Sequence, residues 1–157
     1  MTPEEFVATF KPYAKIIDEM YGLPWRAILA QAALETGWLR NPVTDLETGR
    51  PSYNLFNIKG QGPAGSVKAY DEQYINGRLV KRVHQFRAYH NYEESFIDYA
   101  RLIMENPRYQ EALAVAADPE AYVRRIQQAG YAEDPRYAEK LIQIMRKYIK
   151  DEAEPVD

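Results

Sequence analysis

Apolar side chains at Phe6, Phe10, Tyr13, Ile17 and Met20 recur every three or four residues, the period of a helix with one face turned to a core. Thr2 and Glu5 stand at capping-box spacing, Pro3 suits a first helical position and Gly22 a terminus, so a helix is predicted over 3–21. Pro24 opens a second, PWRAILAQAALET, which Gly37 stops. From 39 to 66 the pattern breaks into Pro and Gly, the mark of an irregular segment. Asn76-Gly77, flanked by Tyr74, Ile75, Leu79, Val80 and Val83, then predicts a β-hairpin within 67–88. Asn91 and Glu94 repeat the capping-box spacing. Asn106-Pro107, Asp118-Pro119 and Asp134-Pro135 each set a capping residue before a proline, and the last helix carries Tyr137, Leu141, Ile144 and Tyr148 to about Lys150. The expected fold is α+β and helix-dominated: six helices with one hairpin inserted after the second.

Composition narrows the class. The 157 residues, 46% hydrophobic and 27% charged, suit one folded domain, expected over 1–150, with the acidic DEAEPVD at 151–157 as a disordered tail. Cysteine is absent, which removes disulfides, thiolate metal sites and thiol catalysis. His84 and His90 have no third partner of their kind, so no metal and no cofactor are expected. No apolar run reaches the length of a membrane span and no secretory leader is visible.

The formal charge of −3 is unevenly spread. Residues 59–90 carry six Lys or Arg against Asp71 and Glu72, a balance of +4 that leaves −7 for the rest. That is either a solvated face or a basic wall beside an anionic polymer; the acidic whole argues against nucleic acid. Gly60–Gly65 (GQGPAG) lacks the lysine and the strand-before, helix-after setting of a phosphate loop.

Glu35 is the most informative residue. Ile28, Ala32 and Glu35 fall at i, i+4 and i+7, which puts a carboxylate on an apolar stripe, in the last turn of its helix where the macrodipole opposes an anion. Both effects raise its pKa. It is either a helix-end glutamate reaching solvent or a carboxylic acid kept protonated to donate a proton, as in glycoside cleavage.

AILAQAALETGW (27–38), YNLFNIKG (53–60), EQYINGR (72–78), FRAYHNYEESFIDYARLI (86–103) and AGYAEDPRYAEKL (129–141) occur in that order. Together they resemble the glycoside hydrolase family 73 glucosaminidases, a group that includes domains of flagellar rod-cap proteins and autolysins. The resemblance covers 3–148. It implies a lysozyme-like fold, cleavage of β-1,4 bonds of peptidoglycan on the reducing side of N-acetylglucosamine, and a general acid at Glu35. It also implies an active-site role for Tyr131, in the GYA-x-DP motif, and a cleft-floor loop carrying Asn54 and Phe56. For these two the competing readings are turn chemistry and burial. Tyr137 reads as helix core, and Trp25 and Trp38 as packing.

The second carboxylate is open. The family motif sets a glutamate just before the hairpin tyrosine, Tyr74, and this chain has Gln73 there. Asp71 and Glu72 are the nearest acids, and strand alternation puts only Asp71 on the face of position 73. A two-residue loop at Asn76-Gly77 would set Glu72 opposite Lys81 and Asp71 opposite Arg82, so each is equally explained as half of a cross-strand ion pair. With neither acting, the substrate's own acetamido group could be the nucleophile. Glu72, Gln73 and Tyr74 are further candidates for substrate contact. Tyrosine outnumbers phenylalanine 13 to 5, which suits stacking on sugar rings.

Three functions follow: a peptidoglycan glycosidase, a lytic transglycosylase of the same fold, or a cell-wall binding module without turnover. The expected partner is the peptidoglycan glycan strand, met by a monomer with no membrane span. The expected setting is the periplasm or cell exterior, the chain being either a domain of a longer exported protein or a product released as phage lysins are.

Overall fold

The computed structural model describes residues 1–151; the rest of the predicted tail, 152–157, lies outside the described residues. The elements are α1 (Pro3–Tyr21), α2 (Trp25–Thr36), β1 (Ser66–Ile75), β2 (Arg78–Arg87), α3 (Tyr92–Glu105), α4 (Gln110–Ala114), α5 (Pro119–Gln128) and α6 (Tyr137–Tyr148). The expected α+β architecture is the one observed.

The capping predictions resolve individually. In α1 the Thr2 hydroxyl accepts from the Glu5 N–H while the Glu5 carboxylate accepts from the Thr2 N–H. Asn91 accepts from Glu94 N–H before α3, and Asp118 from Glu120 and Ala121 N–H before α5. Asn106 caps only a 3₁₀ turn, Pro107–Tyr109, that leads into the short α4. Asp134 accepts from Arg136 N–H in a turn, and α6 starts after it. Pro24 offers α2 no side-chain cap; Asp18 from α1 takes that place, accepting from Trp25 N–H at 2.9 Å.

α2 is the central element, packed against α1, α5 and α6. Ala27, Ala30, Ala32 and Ala33 are its small buried residues, so neighbours approach closely on several sides, and Ile28 and Leu29 are fully enclosed. Each such aliphatic side chain contributes about 2 kcal/mol by burial. Phe6, Phe10, Ala14 and Ile17 form the buried stripe of α1, whereas Met20 is 63% exposed because the last turn runs past the core. In α6 the buried positions are Tyr137, Ala138, Leu141, Ile142 and Met145; Ile144 and Tyr148 sit at its margin.

The hairpin turns at Asn76-Gly77 with φ of 51° and 76°, the positive pair that a two-residue loop requires. Its register sets Asp71 opposite Arg82, Glu72 opposite Lys81 and Tyr74 opposite Leu79, as the turn predicts. A hairpin alone is marginal in water. This one is fastened at its base: Val67, Ala69, Phe86 and Ala88 form a small core with Val43 and Ala64, and residues 58–60 bond along the outer edge of β2. Lys68 on β1 donates its N–H to Asp45 and accepts from Leu46 N–H. Near the tip, Tyr74 N–H, unpaired within the hairpin, donates to the Glu133 carboxylate at 3.0 Å. β1 is therefore the edge that faces the helical body across a gap.

Candidate active site

That gap is a cleft of about 1080 Å³, and Glu35, Asn57, Asp71, Tyr74, Tyr131 and Tyr137 border it. Glu35 reaches it because α2 ends there: Gly37, at φ 57°, takes the left-handed turn that stops the helix one residue after Thr36. Asn57, in a loop residue with φ 53°, donates from Nδ2 to Glu35 Oε2 at 2.5 Å and to the Glu35 backbone carbonyl at 3.2 Å. Tyr137, opening α6, presents its hydroxyl to the same carboxylate.

Removal from water pushes the Glu35 carboxyl up to about 7. The hydrogen bonds from Tyr137 and Asn57 pull the other way, and the negative charge of Asp71 adds a smaller upward push. The phenols of Tyr131 and Tyr137 are driven well above their usual range, chiefly by burial and then by the Glu35 charge. Both stay neutral donors at any working pH.

Tyr131 is held from three sides. Its hydroxyl donates to the Phe56 carbonyl at 2.8 Å, its ring stacks on Tyr137 at 6.0 Å, and Arg108 clamps the preceding turn by donating to the Ala129 and Gly130 carbonyls. Phe56 itself is buried against Phe96 and Tyr99, so it serves the cleft through its carbonyl. Asn54 is 2% exposed and lies off the cleft. Its amide donates to the Ile58 and Arg87 carbonyls and its oxygen accepts from Phe56 and Ile58 N–H, so it shapes the loop that aims Asn57. Asn54 makes the bonds of a turn, and Phe56 is both buried and on the lining of the cleft.

The hairpin acids depart from the ion pairs expected of them. Asp71 bonds Lys59 at 2.6 Å, from the 58–60 segment rather than from Arg82, and among the described residues no ion pair joins Glu72 to Lys81. The argument from strand faces also changes. Glu72 and Tyr74 border the cleft although they alternate with Asp71, while Gln73 does not border it. Because β1 is the inner edge of a twisted hairpin, both faces of the strand meet the gap. Asp71 remains distinct because its charge is felt at Glu35 and that of Glu72 is not.

Asn57, Lys59 and the hydroxyl of Tyr137 were not singled out from sequence. The NLFN repeat of polar residues around Leu55 and Phe56 is a signal for Asn57 in hindsight. Trp38 packs edge-on to Phe6 and Tyr148, and Trp25 lies under Lys11 and Lys15, in line with packing roles. Among the described residues no group of three or more His, Cys, Asp or Glu could hold a metal, and no helix is long and apolar enough to cross a membrane.

A helical body with one hairpin, enclosing a desolvated carboxylic acid at the end of its central helix, sets a poised proton donor in an open cleft, the arrangement of an acid-catalysing enzyme. The glucosaminidase family model, described as mannosyl-glycoprotein endo-beta-N-acetylglucosaminidase, matches residues 11–150, and the chain belongs to that family. It is 42% identical over 146 residues to the peptidoglycan hydrolase FlgJ of Pseudomonas aeruginosa, covering 92% of this chain and 36% of that protein. The chain thus spans well under half the length of that curated relative. Among solved structures, a peptidoglycan hydrolase mutant from Sphingomonas sp. A1 superposes with a TM-score of 0.79 at 41% identity, over 90% of this chain and 92% of that one. A truncated glycoside hydrolase domain of Salmonella typhimurium FlgJ gives 0.72 at 38% identity, over 92% and 96%.

Proposed function

We propose that this chain is a peptidoglycan hydrolase domain that cuts the β-1,4 bond on the reducing side of N-acetylglucosamine, with Glu35 as general acid. The single observation that carries this reading is the Glu35 carboxyl, held near neutrality at about 7 at the head of an open cleft. An acid with that pKa is half protonated at neutral pH, where donors are most effective. The proton passes from Glu35 to the oxygen joining the two sugars; the C–O bond breaks, its electrons staying on the departing oxygen. Water then adds to the anomeric carbon and gives its proton to a carboxylate. Asp71, or Glu35 once ionised, is on the cleft wall to take it.

Tyr131 and Tyr74 border the cleft where a glycan would lie, and Glu72 and Lys81 add polar contacts there. A cell-wall polymer substrate supports a periplasmic or extracellular setting. The ion pair that ties Asp71 to Lys59 favours a second reading, a one-carboxylate lytic transglycosylase.

Products separate these readings. Digestion of purified peptidoglycan followed by borohydride reduction should give N-acetylglucosaminitol ends by mass spectrometry. Anhydro-muramyl ends, lighter by one water, would replace hydrolysis with transglycosylation, and reducible muramic acid would move the cut to the other linkage. Wall co-sedimentation without cleavage at any pH would leave only a binding module.

The hairpin acids are tested by pairwise substitution. Asp71→Asn should lower turnover by about tenfold or more and move the alkaline limb of activity to lower pH, since Asp71 raises the Glu35 pKa. Glu72→Gln should leave the limb in place and turnover within about threefold, as expected of an exposed charge. Equal effects of the two substitutions would remove Asp71 from the mechanism.

A further inference from the structure

Behind Glu35 the core holds a line of polar side chains that the cleft does not account for. Gln31 lies one turn before Glu35 in α2, Tyr99 comes from α3, Tyr122 from α5 and Tyr137 from α6, and each is 2% exposed or less. Gln31 Nε2 donates to the Tyr137 hydroxyl at 3.0 Å. The Tyr99 hydroxyl donates to Gln31 Oε1 and lies 2.7 Å from the Tyr122 hydroxyl.

Counting protons gives the line a direction. Tyr99 spends its one proton on Gln31, so Tyr122 must be the donor to Tyr99. The Tyr137 oxygen already accepts from Gln31, which leaves its own proton for the Glu35 carboxylate whose charge it feels. Turning the Gln31 amide over would reverse every bond. Tyr137 would donate to Gln31 instead of Glu35, and the Tyr122 proton would be left without an acceptor among the described residues. A buried hydroxyl proton with no acceptor is costly, and with the amide turned over the Tyr99–Tyr122 pair always holds one, so the Tyr99 hydroxyl against Gln31 Oε1 selects the observed orientation.

We infer that Gln31, locked in one amide orientation by the Tyr99 hydroxyl, is a positioning residue that turns the Tyr137 hydroxyl proton onto Glu35. The inference rests on Glu35 being the acid of the proposed reaction. Its consequence is directional. Asn57 and Tyr137 both present hydrogens to the carboxyl, so the acid's own proton finds no acceptor on the protein side and faces the cleft. An apolar core of equal shape would serve stability as well. The polar line therefore matches a need of the site rather than of the fold. The titratable groups that face Glu35 are Tyr137 from α6, Asp71 from β1 and Tyr131 from the loop before α6; Tyr99 and Tyr122 act only through Gln31.

The test follows the Glu35 carboxyl directly by carbon-13 NMR titration, beside kcat and KM on soluble glycan strands. Gln31→Met, close in volume but without the amide, should raise the Glu35 midpoint by about half to one pH unit, carry the alkaline limb of kcat with it, and lower kcat about tenfold with KM little changed. Gln31→Glu should lower kcat further, because an acceptor at that point draws the Tyr137 proton inward. Tyr99→Phe keeps the ring and removes only the hydroxyl that selects the orientation; it should move the midpoint in the same direction by a smaller amount, and it guards against misfolding of the Gln31 variants. A midpoint that stays put in Tyr99→Phe and in every folded Gln31 variant would overturn the inference, whatever happens to stability. Should Glu35→Gln retain full activity, the catalytic assignment fails separately, and the NMR midpoint still decides the relay.

Discussion

Glu35→Gln is expected to fold and to lose activity by a factor on the order of 10² to 10⁴, the share that general acid catalysis supplies. The amide nearly matches the carboxyl in shape, and its oxygen can still accept from Asn57 Nδ2. What it lacks is a proton that can leave. The measurement is turnover of purified peptidoglycan, with circular dichroism confirming the fold. A loss below about tenfold would move the acid elsewhere, and the cleft offers few substitutes: Asp71 is paired with Lys59, and Glu133 bonds the hairpin tip at Tyr74 N–H. The site therefore concentrates its effect in one group, which is why this substitution should outweigh the others.

The parts of this protein that were legible in sequence are those whose cause is local. The hairpin register follows from Asn76-Gly77, because a two-residue turn with two positive φ angles leaves one way to pair Ile75 with Arg78. Capping residues at Thr2, Asn91 and Asp118 make bonds only two or three residues away. Glu35 stood out because one charged side chain interrupts an apolar stripe at a helix end. Where tertiary contact decides, local pattern falls short. α2 is enclosed by three helices, so its stripe is hardly a stripe at all, and Met20 follows the helical period into solvent.

The site partners illustrate the same limit. Tyr137 sits at helical spacing with Leu141 and its ring is buried, as read, but its hydroxyl meets groups of α2, more than 100 residues earlier. No periodicity carries that. Gln31 was visible as a lone amide in AILAQAALE, yet only the positions of Tyr99 and Tyr137 give it a task. For Asp71, the two-residue turn identified its cross-strand neighbour correctly, and the 58–60 segment then supplied a nearer cation.

The raised acid at Glu35 has a signature in both rate and stability. With a midpoint at about 7, the protonated fraction falls tenfold per unit above neutrality, so activity should drop on the order of 100-fold between pH 7 and pH 9 while the fold persists. For stability, Glu35 binds its proton more tightly in the native state, at about 7, than at the ordinary glutamate value of 4.5. The stability it contributes is therefore complete below about 4.5 and is lost as the pH rises to about 7. Above that point the native state carries an uncomfortable charge, at a cost of roughly 1–3 kcal/mol, which Glu35→Gln relieves. Urea unfolding at pH 5 and pH 8 should thus find the variant gaining on the wild type as pH rises, the residue that limits stability being the one that gives activity. A stability difference that is the same at both pH values, or an activity profile flat from pH 5 to 9, would mean that the carboxyl titrates like an exposed one and is not the poised acid of this cleft.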